Sequence, residues 1–317
     1  MSSTYEPARR PTMYFIGVST AQSSIMKVFP RWAEFLGIAD AELEGIDFPP
    51  NAEPGAYRAA VKFIKADPLS RGALVTTHKL NLFAACRDLF DEVDTHAARL
   101  GETSSISKSN GKLIAHAKDP ISSGLALDAI LPADYWQQCG AEVFLIGAGG
   151  SSIATSWHLM CSPGNEKNRP SRILVTDRSA SRLEEIRHLH AGFGSDVRVE
   201  YVQVDSAQEN DSVAGRLRPG SLVANATGLG KDAPGSPLTD AAIFPENGVV
   251  WEFNYRGDLL FLRQARAQQE KRHLKIEDGW IYFIHGWTRV IAEVFHLEIP
   301  VKGGRFDQLS EIARNSR

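Results

Sequence analysis

Val143-Phe-Leu-Ile-Gly147-Ala148-Gly149-Gly150-Ser151-Ser152 lies near the middle of this 317-residue chain, and its reading decides the fold. Four apolar residues form a buried strand, and the glycines after them let the backbone turn sharply beneath a ligand. The helix that follows, predicted over 152–160, points its unpaired N–H groups at the turn, which suits a pyrophosphate. A plain strand-to-helix turn is the alternative, because a glycine pattern alone is weak. Context favours the dinucleotide reading. Residues 172–176 and 197–201 read as further strands with a helix over 179–190 between them, and strands over 222–226 and 249–253 continue the series. The position of the motif matters as much, since enough chain precedes it to build another compact unit.

That preceding chain also alternates. Strands are predicted over 13–18, 72–76 and 112–116, the last after an Asn110-Gly111 turn. Helices are predicted over 26–36, 57–66, 80–89 and 92–100, and one over 125–131 leads out to Pro132. Alternation of this kind gives α/β domains. The expected architecture is an N-terminal α/β substrate domain over 12–125 and a Rossmann-type dinucleotide-binding domain over 132–270, with a cleft between them. Residues 278–317 form C-terminal helices that pack back on the first domain, because the dinucleotide unit is already complete and 280–295 is strongly apolar. Ser162 to Pro170 reads as an exposed polar loop.

Composition sets bounds. An apolar fraction of 43% with 23% charged residues is that of an ordinary globular protein. A net charge of -3 gives no basic field, so neither nucleic acid nor a membrane surface is expected as a partner. Cys86, Cys139 and Cys161 are far apart and lack C-x-x-C spacing, so neither a disulfide framework nor a metal site is expected. No apolar run approaches the roughly 20 residues that cross a bilayer. The arginines near the N-terminus have no apolar core behind them, so no signal peptide is read and a cytoplasmic location is expected. Oligomeric state stays open between monomer and homodimer.

Asp177 closes the strand after the glycine loop, where a carboxylate accepts hydrogen bonds from ribose hydroxyls and repels a 2′-phosphate. NAD is therefore the expected cofactor. NADP is the alternative, through Arg178, and a simple helix cap at Asp177 is the bland one. Thr227 and Gly228 follow another strand of the unit, where a backbone carbonyl meets nicotinamide. No Tyr-x-x-x-Lys occurs in the chain, and no His/Cys cluster offers a zinc site. Lys79, at the exit of strand 72–76, and Asp119, after strand 112–116, remain as an acid/base pair. On spacing alone each reads as a solvated surface charge.

From Ile16 to about Phe295 the chain resembles the shikimate/quinate dehydrogenase family. Met13-Tyr-Phe-Ile-Gly17 with Gln22-Ser23-Ser24 is similar to its opening strand and serine loop. Val75-Thr76-Thr77-His78-Lys79 resembles Val-Thr-x-Pro-x-Lys, and Gly101-Glu-Thr-Ser104-Ser105 resembles Gly-Ala-x-Asn-Thr. Asn225-Ala-Thr-Gly228, Trp251-Glu-Phe-Asn-Tyr255 and Asp278-Gly-Trp resemble later motifs. The resemblance implies that Lys79 and Asp119 are catalytic, and that Ser23, Thr76, Ser104, Tyr255 and His285 bind substrate. The implied reaction is reversible hydride transfer between NAD(P) and a secondary alcohol on a small cyclic hydroxy acid.

Several clamp positions depart from the pattern. Ile25 replaces a second serine, Ser104 and Ala117 replace asparagines, and Gly286 beside His285 replaces a glutamine. These departures predict an altered substrate pocket. The alternatives are a folate-type or amino-substituted ring as substrate, or a non-catalytic dinucleotide-binding regulator, which the retained Lys79 and Asp119 argue against. His78 reads as a hydrogen-bond partner in preference to a proton relay, and Glu184-Glu185 as a solvated helix face.

Overall fold

The computed structural model describes residues 5–164, 166–231 and 233–316. It divides into two units, one running to Asp119 and resuming at Ile284, the other spanning Pro120–Phe283.

The first unit is built on a six-stranded mixed sheet. Its strands are β1 (Thr12–Gly17), β2 (Glu42–Asp47), β3 (Ser70–Val75), β4 (Glu92–Val93), β5 (Ser105–Ser109) and β6 (Lys112–His116), in the order β2-β1-β3-β5-β6-β4. β1 lies between parallel neighbours and every one of its residues is buried, which explains its unbroken apolar run. β5 and β6 pair antiparallel across Asn110 (φ 50°) and Gly111 (φ 76°), the two left-handed residues a tight hairpin needs. Helix Ile25–Leu36 buries Ile25, Val28, Phe29, Trp32 and Leu36, one stripe at helical spacing.

The C-terminal chain completes this unit. Helix Trp280–Phe295 enters it, and Trp287 packs edge-on against Phe15 with centroids 4.9 Å apart. From helix Gly304–Asn315, the Leu309 carbonyl accepts a 2.8 Å hydrogen bond from Trp32 Nε1. Residues from Ile284 onward thus belong to the first unit.

Local expectations fail in identifiable places. The helix expected over 92–100 is the short strand β4 followed by helix Thr95–Leu100, because Asp94 caps that helix by accepting from Ala97 N–H at 2.7 Å. The helix expected over 125–131 already begins at Asp119 and straddles the division between the units. β2 and β5 are too polar to read as strands, and β2 is a half-exposed edge.

The second unit holds β7 (Val143–Ile146), β8 (Ile173–Asp177), β9 (Val199–Gln203), β10 (Leu222–Asn225), β11 (Val249–Glu252) and β12 (Lys275–Glu277). They form one parallel sheet in the order β12-β11-β10-β7-β8-β9. This is the doubly wound order, which reverses direction between β7 and β10 and opens a crevice beyond their C-terminal ends. Phe144, Ile146, Leu174, Val223, Val250, Phe244 and Phe261 share its core, each contributing roughly 1.5–3 kcal/mol by burial. Among the described residues no helix is long and apolar enough to cross a membrane.

Candidate active site

In the first unit, β3 ends at Val75 and the chain reverses within a few residues. Thr77 takes a left-handed φ of 57°, and the His78 N–H donates to the Thr76 carbonyl across it. Helix Lys79–Cys86 starts immediately, so Lys79 sits at its first position. Asp119 opens helix Asp119–Ile130, where a carboxylate is favoured by the helix dipole. Lys79 Nζ donates to Asp119 Oδ2, and the two side chains are 21% and 14% exposed. The pair is sheltered but reachable.

Burial works against the Lys79 charge. The Asp119 and Glu102 carboxylates, with the hydrogen bond to Asp119, outweigh it and hold the Lys79 pKa above its ordinary value. Glu102 is fully buried, and among the described residues no group bonds its Oε1. Burial raises its pKa to about 7, Lys79 opposes that shift, and Asp119 adds to it. Sequence reading did not single out Glu102, although a charged residue between Leu100 and Ile106 was a signal available to it.

The surrounding side chains divide into those that build the site and those that pack. His78 is buried, with Nδ1 2.9 Å from Tyr57 Oη and Nε2 3.2 Å from the Gly17 carbonyl. Both ring nitrogens are engaged, so His78 holds the turn to the end of β1. Ser104 is also buried, and its hydroxyl accepts from Lys118 N–H at 2.7 Å. That bond steadies the backbone leading into Asp119, an internal task where substrate contact was expected. Ser23 and Thr76 are half-buried, Ser23 after the short 3-10 turn that follows β1 and Thr76 directly after β3.

His285 is 1% exposed and stacks on Phe306 with centroids 4.5 Å apart, a packed setting where substrate contact was expected. Its neighbour Gly286 is half-buried, and a Cβ added there would meet nothing within 4 Å. In the second unit, half-buried Tyr255 packs against Phe283 and Trp280, at 4.6 and 5.8 Å between centroids.

The glycine loop leaves β7 with Gly147 at φ 103°. A Cβ at this position would lie 3.1 Å from both the Ala226 carbonyl and Thr227 Cγ2, so only glycine lets the β7 and β10 loops approach. Gly149 faces open space and begins helix Gly150–Cys161 with no side-chain cap. The free N–H groups of the first turn, at half-buried Gly150 and Ser151, suit an anion, and the loop fits a dinucleotide pyrophosphate.

Two expected contacts of this loop turn inward. Ala148 is buried and donates its N–H to Asp177 Oδ2 at 2.8 Å. Ser152 is buried and its hydroxyl donates to the Gly147 carbonyl. These residues hold the loop's shape. Asp177 also accepts from Ser179 N–H at 2.8 Å, while Ser179 itself caps the next helix. Arg178 beside it is exposed.

Thr227 is fixed by a network absent from the sequence reading. Asn225 Oδ1 accepts from Thr227 N–H and Oγ1 at 3.0 and 2.6 Å, and Asn254 Nδ2 donates to the Thr227 carbonyl at 3.1 Å. Buried Glu252 accepts from both asparagines at 2.7 Å. Burial raises its pKa to about 7 against those hydrogen bonds. Gly228 follows, exposed at the tip of the loop.

No family model matches the chain. Among solved structures, a quinate dehydrogenase from Corynebacterium glutamicum in complex with NAD superposes with a TM-score of 0.72 at 20% identity, covering 96% of this chain and 99% of that one. A ligand-free 5-ketofructose reductase from a Gluconobacter strain does so at 0.68 and 17%, over 97% and 99%. These establish the fold. A curated shikimate dehydrogenase (NADP(+)) from Methylocella silvestris is 25% identical over 290 residues, 91% of each chain. Along nearly its whole length the chain is similar to shikimate and quinate dehydrogenases. The segment Val75–Lys79 is one residue shorter than Val-Thr-x-Pro-x-Lys, and it turns through Thr77 at φ 57°.

Proposed function

We propose that this chain is an NAD(P)-dependent oxidoreductase that interconverts a secondary alcohol and a ketone on a small cyclic hydroxy acid. The observation that carries this reading is the sheltered Lys79–Asp119 ion pair, carried by a chain whose other unit has an uncapped glycine-loop helix in a doubly wound sheet. The family relationship supports it, since the Methylocella relative is named shikimate dehydrogenase (NADP(+)) and the Corynebacterium enzyme binds NAD.

When bound, the nicotinamide accepts or supplies the hydride. Lys79 handles the accompanying proton. In alcohol oxidation its neutral amine removes the hydroxyl proton, and in ketone reduction its ammonium returns that proton to the oxygen. Asp119 holds the amine in place and accepts from the substrate hydroxyl. Gly150 and Ser151 N–H groups take the pyrophosphate, and the lone pairs left on Asp177 take ribose hydroxyls. That arrangement favours NAD, while exposed Arg178 is the group placed to meet the 2′-phosphate of NADP.

The pocket is proposed to be altered. Ile25, fully buried, stands where a second serine would grip a carboxylate, and Gly286 leaves open the space of a larger polar side chain. A neutral polyhydroxy carbonyl compound is therefore the second reading.

The test is to offer the purified protein NAD+ and NADP+ with quinate, shikimate and related ring alcohols, and polyols alongside, following absorbance of the reduced cofactor. Turnover that disappears in Lys79→Ala supports the reaction. Absence of reduced cofactor with every alcohol overturns it.

A further inference from the structure

We propose that Glu102 is the third member of the Lys79–Asp119 pair, a positioning residue that sets how firmly Lys79 holds its proton. The inference rests on the proposed role of Lys79, but its main test does not. Glu102 sits in the turn between helix Thr95–Leu100 and β5, where the family pattern has alanine, and it is 2% exposed. Among the described residues no group bonds its Oε1, so its carboxyl is not explained by structural hydrogen bonding at that atom. The next residue ties the turn to the site, because Thr103 N–H donates to the Lys79 carbonyl at 3.3 Å.

The charges acting on Glu102 come from two other elements, Lys79 opening its helix and Asp119 opening the next. Neighbouring charges are matched elsewhere: Lys118 pairs with Glu293 at 2.6 Å, and His116 lies between Asp94 and Glu293. The cluster therefore holds two carboxyls against one amine. When Glu102 ionises, Lys79 faces a second negative charge in a poorly solvated setting and keeps its proton to higher pH. When Glu102 is neutral, Asp119 acts alone and Lys79 gives up its proton more readily. The residue touches neither substrate nor cofactor in this scheme and acts through Lys79.

Lys79 reactivity toward trace acetic anhydride, read by mass spectrometry across pH, gives its titration without any substrate. In Glu102→Gln the midpoint should fall by about one pH unit, and Glu102→Asp should restore it in part. A midpoint unchanged from the wild type in a folded Glu102→Gln protein overturns the proposal. The coupling is also readable from the other side. Carboxyl 13C shifts in Lys79→Met should show Glu102 titrating at higher pH than in the wild type, and an unmoved Glu102 there overturns the proposal equally. If ring-alcohol oxidation is observed, the acid limb of kcat/KM should move down with the labelling midpoint. Lack of turnover would count against the reaction and leave the labelling result standing.

Discussion

Asp177 and Ala148 join the end of β8 to the glycine loop after β7: the Asp177 Oδ2 accepts the Ala148 N–H at 2.8 Å. The same carboxylate accepts Ser179 N–H through Oδ1, so one side chain braces both loops at the C-terminal edge of the sheet. Asp177→Ala should lower unfolding free energy by about 2 kcal/mol, the worth of charge-assisted bonds at a half-buried site. It should also weaken NADH binding more than NADPH binding, because a 2′-phosphate is no longer repelled. Thermal unfolding and calorimetric titration with both nucleotides check the two parts.

Lys79 and Asp119 should act as a unit. Lys79→Ala or Asp119→Asn is expected to reduce kcat by at least about 100-fold, the range of a lost acid/base group. Dinucleotide affinity should be unchanged, since the glycine loop belongs to the other unit. Steady-state kinetics with fluorescence titration of NADH separates the effects.

Thr77 carries a β-branched side chain at φ 57°, a conformation that L-residues avoid. Asparagine tolerates that region better. Thr77→Asn should therefore stabilise the protein by about 1 kcal/mol, measured by urea unfolding. The side chain is exposed, so little packing is lost.

His190 is buried between Ser156 Oγ at 2.7 Å and Tyr201 Oη at 2.8 Å, and burial lowers its pKa to about 4. The folded state thus binds its proton less readily than the unfolded state, whose histidine has the ordinary value of about 6.5. Stability from this group is present above pH 6.5 and is lost as pH falls toward 4. Glu252, raised to about 7, tilts the dependence the other way over part of that range. Comparison with His190→Gln isolates the histidine. The stability advantage of the wild type over the variant should shrink by about 2 kcal/mol between pH 7 and 4.5, measured by urea unfolding at each pH.

Gly147→Ala should be harmful out of proportion to its size. The added Cβ would press on the Ala226 carbonyl at 3.1 Å with φ at 103°. A loss of about 1–3 kcal/mol is expected in urea unfolding, together with weakened NADH binding.

The sequence by itself determined the alternating layers and the β7–glycine–helix turn, while the pairing of Lys79 with Asp119 came from the resemblance of the motif order to a known family. The layers and the turn follow from local rules. Buried parallel strands need unbroken apolar runs, and a sharp turn under a ligand needs glycine. Burial and hydrogen-bond direction were not legible, because they depend on chain distant in sequence. Ser151 and Ser152 are adjacent serines, yet only the second turns inward to the Gly147 carbonyl. His285 and Gly286 differ by one helical step of about 100°, which puts His285 against Phe306 and Gly286 beside open space. Glu102 reads as an ordinary surface acid until the turn after Leu100 is placed against Lys79. Only tertiary packing removed the water from around it, and desolvation is what turns a routine carboxyl into a group that responds near neutral pH.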